Sequence, residues 1–268
     1  MKVISVLNLK GGVAKTFTAV NMAYELYRRG YKVLLLDNDK QGNLSKAYSR
    51  YDTETAAPAA KLLCGDWQEA AELIQQTEYD GIDIIPANMS LMGAAWNLTA
   101  AETGNQIERY KRLEGAPVLG HGWAVADSLP VSQAYDYLII DNPPDIGLNV
   151  LNALAVTDEV IVPVKIDEWA LDGLDILEGQ IEDAKQFNPS LKLRGILVTD
   201  YSGTDGEAAG KDWLETKGGR FPLLGVVRHS KKVAESTFLF KPIYEYSPCC
   251  GAAQDYKKLV TEYTGKAR

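Results

Sequence analysis

The chain has 268 residues, 46% apolar and 24% charged, and no run in it approaches the ~20 apolar residues of a transmembrane helix. That composition excludes a disordered or collagen-like chain, and a chain of this length buries enough surface to fold without a disulfide or metal staple. The net charge of −8 excludes a uniformly basic protein but not a local basic face: residues 1–189 hold 15 Lys/Arg against 27 Asp/Glu, whereas residues 190–268 hold 13 against 9.

Residues 2–8 read as an apolar strand, and residues 16–29 as a helix ended by Gly30. Residues 32–37 form a nearly continuous apolar run, as expected for a strand covered on both faces. Residues 66–76 have the spacing of a helix, and residues 82–86 that of a strand. Residues 91–113 are helical in pattern, with a break near Thr103-Gly104, and residues 114–130 are a Gly- and Pro-containing loop. Strands are expected at 137–141, 160–164, 193–199 and 223–227, and helices at 148–155, 170–187, 206–216 and 252–263. This alternation predicts an α/β fold, a mostly parallel twisted sheet with helices on both faces. No linker divides the chain, so residues 1–268 are expected to form a single domain. The N-terminus enters its first strand at once, without the core of a signal peptide, which predicts a cytoplasmic protein. The cysteines Cys64, Cys249 and Cys250 and the histidines His121 and His229 give no metal-ligand spacing.

Chemistry-bearing residues collect at three strand ends. The first strand runs into Lys10-Gly11-Gly12-Val13-Ala14-Lys15-Thr16 and then a helix. A Gly-rich turn there exposes successive backbone N–H groups beside a helix N-terminus, a concavity suited to a polyphosphate. Lys15 would reach the β- and γ-phosphates, and the Thr16 hydroxyl would bind Mg²⁺. Leu9 and Ala14 occupy the two glycine positions of the strict P-loop pattern. The second strand ends in Asp37-Asn38-Asp39-Lys40-Gln41-Gly42-Asn43, whose carboxylates at i and i+2 leave on one side. The third strand, residues 137–140, ends in Asp141-Asn142-Pro143-Pro144, an apolar strand closed by a carboxylate that can hold Mg²⁺ directly or through water.

Lys10, five residues before Lys15, resembles the second lysine of the deviant Walker A box of the ParA/MinD family of P-loop ATPases. Residues 37–43 resemble that family's D-x-D-P-Q-G-N box, with Lys40 in place of Pro, and residues 141–144 its D-x-P-P segment. The likeness continues through residues 147–154, 158–163, 170–174, 225–235 and 241–246, is weakest over 56–135, and is most similar to the ParA partition ATPases. The resemblance implies a single-domain P-loop NTPase that binds and hydrolyses ATP with Mg²⁺ and segregates plasmid, chromosomal or mobile-element DNA. Lys10 would cross the interface of an ATP-dependent homodimer to the partner's phosphates. Gly11, Gly12, Val13, Ala14 and Phe17 would offer backbone N–H groups. Asp37 and Asp141 would support Mg²⁺, and Asp39 would position the attacking water. Ala14 must have a backbone conformation open to Ala, Phe17 replaces a hydroxyl residue, and Lys40 could pair with Asp37 or Asp39; these departures bear on the hydrolysis rate.

The segment Arg228-His229-Ser230-Lys231-Lys232 corresponds to the family's non-specific DNA-binding region, so Arg228, Lys231 and Lys232 are the candidate contacts with double-stranded DNA. Lys211, Lys217, Arg220, Lys257 and Lys258 could extend that face. A ParB-like adaptor and a nucleoid-associated location are further implications. The alternative is a MinD-like membrane-surface positioning ATPase. That role should show a basic amphipathic helix at the C-terminal end, where residues 259–268 have few bulky apolar groups, so no stable membrane association is expected. No helix-turn-helix region is expected ahead of the first strand.

Overall fold

The computed structural model describes residues 1–100, 106–118, 129–167, 170–216 and 221–265. The expected break at Thr103-Gly104, His121, Lys217 and Arg220 lie outside these residues, as does part of the expected loop.

The centre of the fold is an eight-stranded sheet. In chain order its strands are β1 (Lys2–Val6), β2 (Val33–Asp37), β3 (Gln75–Gln76), β4 (Ile82–Ile85), β7 (Tyr137–Asp141), β8 (Glu159–Val164), β9 (Lys192–Tyr201) and β10 (Leu223–Arg228). In space the order is β10-β9-β8-β1-β7-β2-β4-β3. Every pairing is parallel except the edge pair β3–β4. The pair β5 (Pro117–Val118) and β6 (Leu129–Pro130) forms a separate antiparallel ribbon in the stretch expected as loop.

Valine, isoleucine and leucine dominate the central strands because helices cover both faces. In β2 all five residues are buried. Helix α1 (Lys15–Arg28) packs with α12 (Gly251–Thr264) over one face, where Ala19, Met22, Ala23 and Leu26 meet Ile4, Val6, Leu35, Ile139 and Tyr256. The opposite face is covered by α3 (Pro58–Cys64), α4 (Ser90–Ala100), α7 (Leu148–Val156) and α8 (Ala170–Ala184), with separate apolar clusters around Leu34 and around Val162.

The sequence reading of residues 66–76 as a helix is corrected. Only Ala70–Glu72 makes a 3₁₀ turn, and Gln75–Gln76 joins the sheet as β3. Trp67, Ala70, Leu73 and Ile74 are buried as their spacing suggested. Glu69 and Glu72 close a capping box at the N-terminal end of this turn. Residues 91–113 likewise divide into α4 and α5 (Lys111–Gly115). The helices α2 (Asn43–Ala47), α6 (Val131–Ala134), α9 (Asp205–Thr216), α10 (Lys231–Phe238) and α11 (Ile243–Tyr246) complete the described fold.

Candidate nucleotide site

The C-terminal ends of β1, β2 and β7 lie side by side, so the three segments singled out in the sequence converge. Parallel pairing places Val6 beside Asp141 and Asp37 beside Asp141. The chain leaves β1 and passes over β7 to reach β2, while β8 lies on the other side of β1. This is a reversal of strand order, the place where open α/β sheets bind ligands.

The loop after β1 is shaped from both ends. Asn8 donates to the Pro163 carbonyl at 2.7 Å and accepts from the Lys10 amide at 2.9 Å. Gly12 has φ +73, a left-handed conformation, with open space where a Cβ would stand. Ala14, the residue before α1, has φ +64. The expectation that Ala14 sits where alanine is at ease is therefore corrected: its backbone is in the region that favours glycine. Lys15 is buried, and its ammonium donates to the Lys10 carbonyl at 3.0 Å. Burial pushes the Lys15 ammonium below its usual range, against the field of Asp141, Asp39 and Asp145. Phe17 is half-buried and packs edge-on to Tyr256, with ring centroids 5.6 Å apart. Lys10 Nζ contacts the carboxylate of Asp167, in the loop after β8.

The carboxylates divide by environment. Asp37 is fully buried, and its Oδ2 accepts from the Ser45 amide at 2.8 Å and the Ser45 hydroxyl at 2.6 Å. Burial pushes its carboxyl up to about 6, against those hydrogen bonds. Asp141 is also buried, and neither carboxylate oxygen has a hydrogen bond of ordinary geometry, although the Thr16 hydroxyl lies close enough to act on it. Burial, then the neighbouring charge of Asp37, raises its carboxyl well above the usual range, while the Thr16 hydroxyl favours the ionised form. A buried carboxylate without a partner costs stability unless a cation or proton satisfies it, so this donor fits a divalent ion. Asp39 is half-buried; its amide donates to Asp37 Oδ1 at 3.2 Å, and its Oδ1 accepts from the Gln41 amide at 2.9 Å. Lys40 pairs with Asp145 at 3.8 Å, rather than with Asp37 or Asp39. Gly42 has φ +64, and a Cβ there would overlap the Tyr51 ring and stand 2.8 Å from the Ala87 carbonyl oxygen.

A buried amide network, absent from the sequence reading, joins the second and third segments. Asn38 Nδ2 donates to Asn142 Oδ1 at 2.8 Å, and Asn149 Nδ2 donates to the Asn38 carbonyl at 2.7 Å. The hydroxyl of Tyr110, from the stretch where the resemblance is weakest, donates to Asn38 Oδ1 at 2.8 Å.

The candidate DNA contacts begin at the end of β10. Arg228 is engaged by Asp255 through Nε at 2.9 Å and Nη2 at 2.8 Å. Lys232 pairs with Glu235 at 2.7 Å, and Lys231 is exposed with no ion pair among the described residues. Lys211 pairs with Glu215 at 2.8 Å and Lys258 with Glu262 at 3.7 Å, while Lys257 lies 5.7 Å from the centre of the Tyr244 ring. Arg228, Lys211, Lys232 and Lys258 are thus each paired with a carboxylate, and no group of three or more His, Cys, Asp or Glu able to hold a metal occurs among the described residues. No described helix is long and apolar enough to cross a membrane.

Residues 1–193 match the family described as an AAA domain. The chain is 30% identical over 271 residues to the chromosome partitioning protein ParA of Caulobacter vibrioides, covering 100% of this chain and 96% of that protein. It is 31% identical over 267 residues to the sporulation initiation inhibitor protein Soj of Bacillus subtilis, covering 97% of each. Its fold is similar to cobyrinic acid a,c-diamide synthase from Mycobacterium smegmatis, solved with ADP and magnesium, at a TM-score of 0.73 and 26% identity over 99% of this chain and 97% of that one. With a Gly-rich loop after the first strand, a buried lysine at its end and two strand-end aspartates beside it, the chain belongs to the ParA/MinD family of P-loop ATPases.

Proposed function

We propose that this chain is an Mg²⁺-dependent ATPase of the partition type, which cycles between an ATP-bound homodimer on DNA and a released form. The observation that carries this reading is the convergence of the Lys10–Phe17 loop, buried Lys15 and the buried carboxylate of Asp141 at one strand-order reversal.

In this reading the amides of Gly11, Gly12, Val13, Ala14 and Phe17 cradle the phosphates of ATP, and Lys15 neutralises the β- and γ-phosphates. Mg²⁺, when bound, would supply positive charge to offset the charge that develops on the phosphates. Thr16, Asp37 and Asp141 would hold it, Asp141 being the buried donor without a hydrogen bond of ordinary geometry. Asp39 holds the attacking water. Lys10 leaves Asp167 and reaches the partner's nucleotide, adding a preorganised cation where charge develops. Turnover is slow until DNA and a ParB-like adaptor are present, and the cargo is plasmid, chromosomal or mobile-element DNA.

Arg228, Lys231 and Lys232 would contact duplex DNA without sequence preference, and in this reading the protein works in the cytoplasm on the nucleoid. With Arg228 and Lys232 each facing a carboxylate, the grip is weak and sensitive to salt. Phosphate release from Mg-ATP, measured with and without duplex DNA, tests the hydrolytic part. Wild type should release phosphate, whereas Lys15→Ala and Asp39→Ala should not. Equal release by all three proteins would overturn it.

A further inference from the structure

The three residues Asp37, Asn38 and Asp39 alternate in their surroundings. The Asp37 carboxylate is tied to Ser45 and that of Asp39 to the Gln41 amide, and the amide side chain between them is held by separate partners. Every polar group of Asn38 is satisfied. Its backbone N–H donates to the Asp141 carbonyl at 2.9 Å, and its carbonyl accepts from Asn149 Nδ2 at 2.7 Å. Its side-chain Nδ2 donates to Asn142 Oδ1 at 2.8 Å and to the Asn149 carbonyl at 3.2 Å. Its Oδ1 accepts from the Tyr110 hydroxyl at 2.8 Å. Asn38 is completely buried, and Tyr110 is 2% exposed.

Four of these five bonds come from segments that the nucleotide site already contains: the end of β7 and the start of α7. Tyr110 is different. It stands on a separate stretch, pinned by Asn152 of α7, which accepts from the Arg109 amide at 2.8 Å and donates to the Gln106 carbonyl at 2.7 Å. Burial pushes the Tyr110 hydroxyl far above its usual range, so it remains a donor at every working pH. A fully satisfied buried network has one low-energy geometry, and the residue next to Asn38 inherits it.

We propose that Tyr110 is a positioning residue for hydrolysis, which acts through the Asn38 carboxamide to fix the backbone on which Asp39 stands. It touches neither nucleotide nor water. The inference rests on the proposed role of Asp39 in holding the attacking water. A general base or water-orienting group must be within hydrogen-bond reach of its target, and a small misplacement is costly in rate while leaving phosphate binding intact.

The test compares wild type with Tyr110→Phe, Asp39→Ala and the core variant Val260→Ala, which loosens α12 away from this network. Two measurements are made: amide exchange of residues 38–42 in nucleotide-free protein, and single-turnover phosphate release over a range of Mg-ATP concentrations that gives both rate and affinity, well below each melting temperature. Tyr110→Phe should exchange these amides roughly tenfold faster, because a local opening has become easier. It should also release phosphate about tenfold more slowly, with ATP affinity within about twofold of wild type. Val260→Ala should match wild type in both measurements. If Tyr110→Phe cannot be purified folded, Asn152→Ala, which frees the stretch carrying Tyr110, should give the same pattern in weaker form. Wild-type exchange and rate in Tyr110→Phe, with Asp39→Ala inactive, would overturn the proposal. So would equal losses in Tyr110→Phe and Val260→Ala, which would mark the role as general stability. Wild-type release by Asp39→Ala would instead remove the underlying reading of Asp39.

Discussion

The ammonium of Lys10 contacts the carboxylate of Asp167 within one subunit, tying the first turn of the nucleotide loop to the loop after β8. Both side chains are about 40% exposed, 38% for Lys10 and 40% for Asp167. Under the proposed role of Lys10, it cannot hold this partner and also reach another subunit's nucleotide, so the contact would compete with dimer formation.

Asp167→Asn weakens that competition. An exposed pair of this kind is worth at most about 1 kcal/mol, so the ATP-bound dimer should gain up to about fivefold in association constant. Sedimentation equilibrium in Mg-ATP measures it. A dimer constant unchanged or lowered by the substitution would show that the pair does not restrain Lys10.

Ala14→Gly relieves the left-handed backbone at the start of α1. The strain there is about 1–2 kcal/mol, and glycine returns roughly 0.5–1 kcal/mol of it as added freedom of the unfolded chain. Urea unfolding should therefore show a gain of up to about 1 kcal/mol in the nucleotide-free protein. A loss of stability would mean that the Ala14 methyl makes a compensating contact.

The burial of Asp37 gives the metal-free protein a definite pH dependence. Its folded carboxyl lies at about 6, against an ordinary 3.8, so the folded state binds the extra proton between those values. The contribution is fully present below about pH 4 and is lost as pH rises through 6, a change of roughly 3 kcal/mol. Asp141 is raised in the same direction, partly by the charge of Asp37. Asp141→Asn should raise the melting temperature at pH 7–8 in the presence of a chelator and flatten the decline between pH 5 and 7. An unchanged melting temperature across that range would contradict the burial argument.

Much of this site was legible in the sequence because it is local. A glycine-rich turn between an apolar strand and a helix, or an apolar strand closed by aspartate, is written in consecutive residues. The parallel sheet then brings Val6, Asp37 and Asp141 to one edge. What stayed hidden depends on distant partners. Residues 66–76 carry an amphipathic spacing that a three-residue turn and a strand satisfy as well as a helix, because Trp67, Leu73 and Ile74 need only reach the core. Tyr110 has no motif, and only folding places its hydroxyl on Asn38. Arg228 stands in the sequence as one residue of a basic segment, and only folding brings Asp255 of α12 against it.

That last pairing has its own consequence. Asp255→Asn removes the carboxylate that competes with phosphate for Arg228, so duplex binding should tighten about twofold to fivefold and remain independent of sequence. Lys231→Ala should instead weaken binding and reduce the slope of affinity against salt by about 1. Filter binding over a salt series measures both. No change in either variant would move the DNA face away from this end of β10.

If ATP creates the DNA-binding form, an electrophoretic shift of random duplex DNA at low salt with Mg-ATP, with Mg-ADP and without nucleotide will show it. The expected result is a shift with ATP alone, lost in Lys10→Ala and abolished as salt rises. Well-folded protein that leaves the DNA unshifted in all three states, or shifts it equally in all three, would contradict the claim.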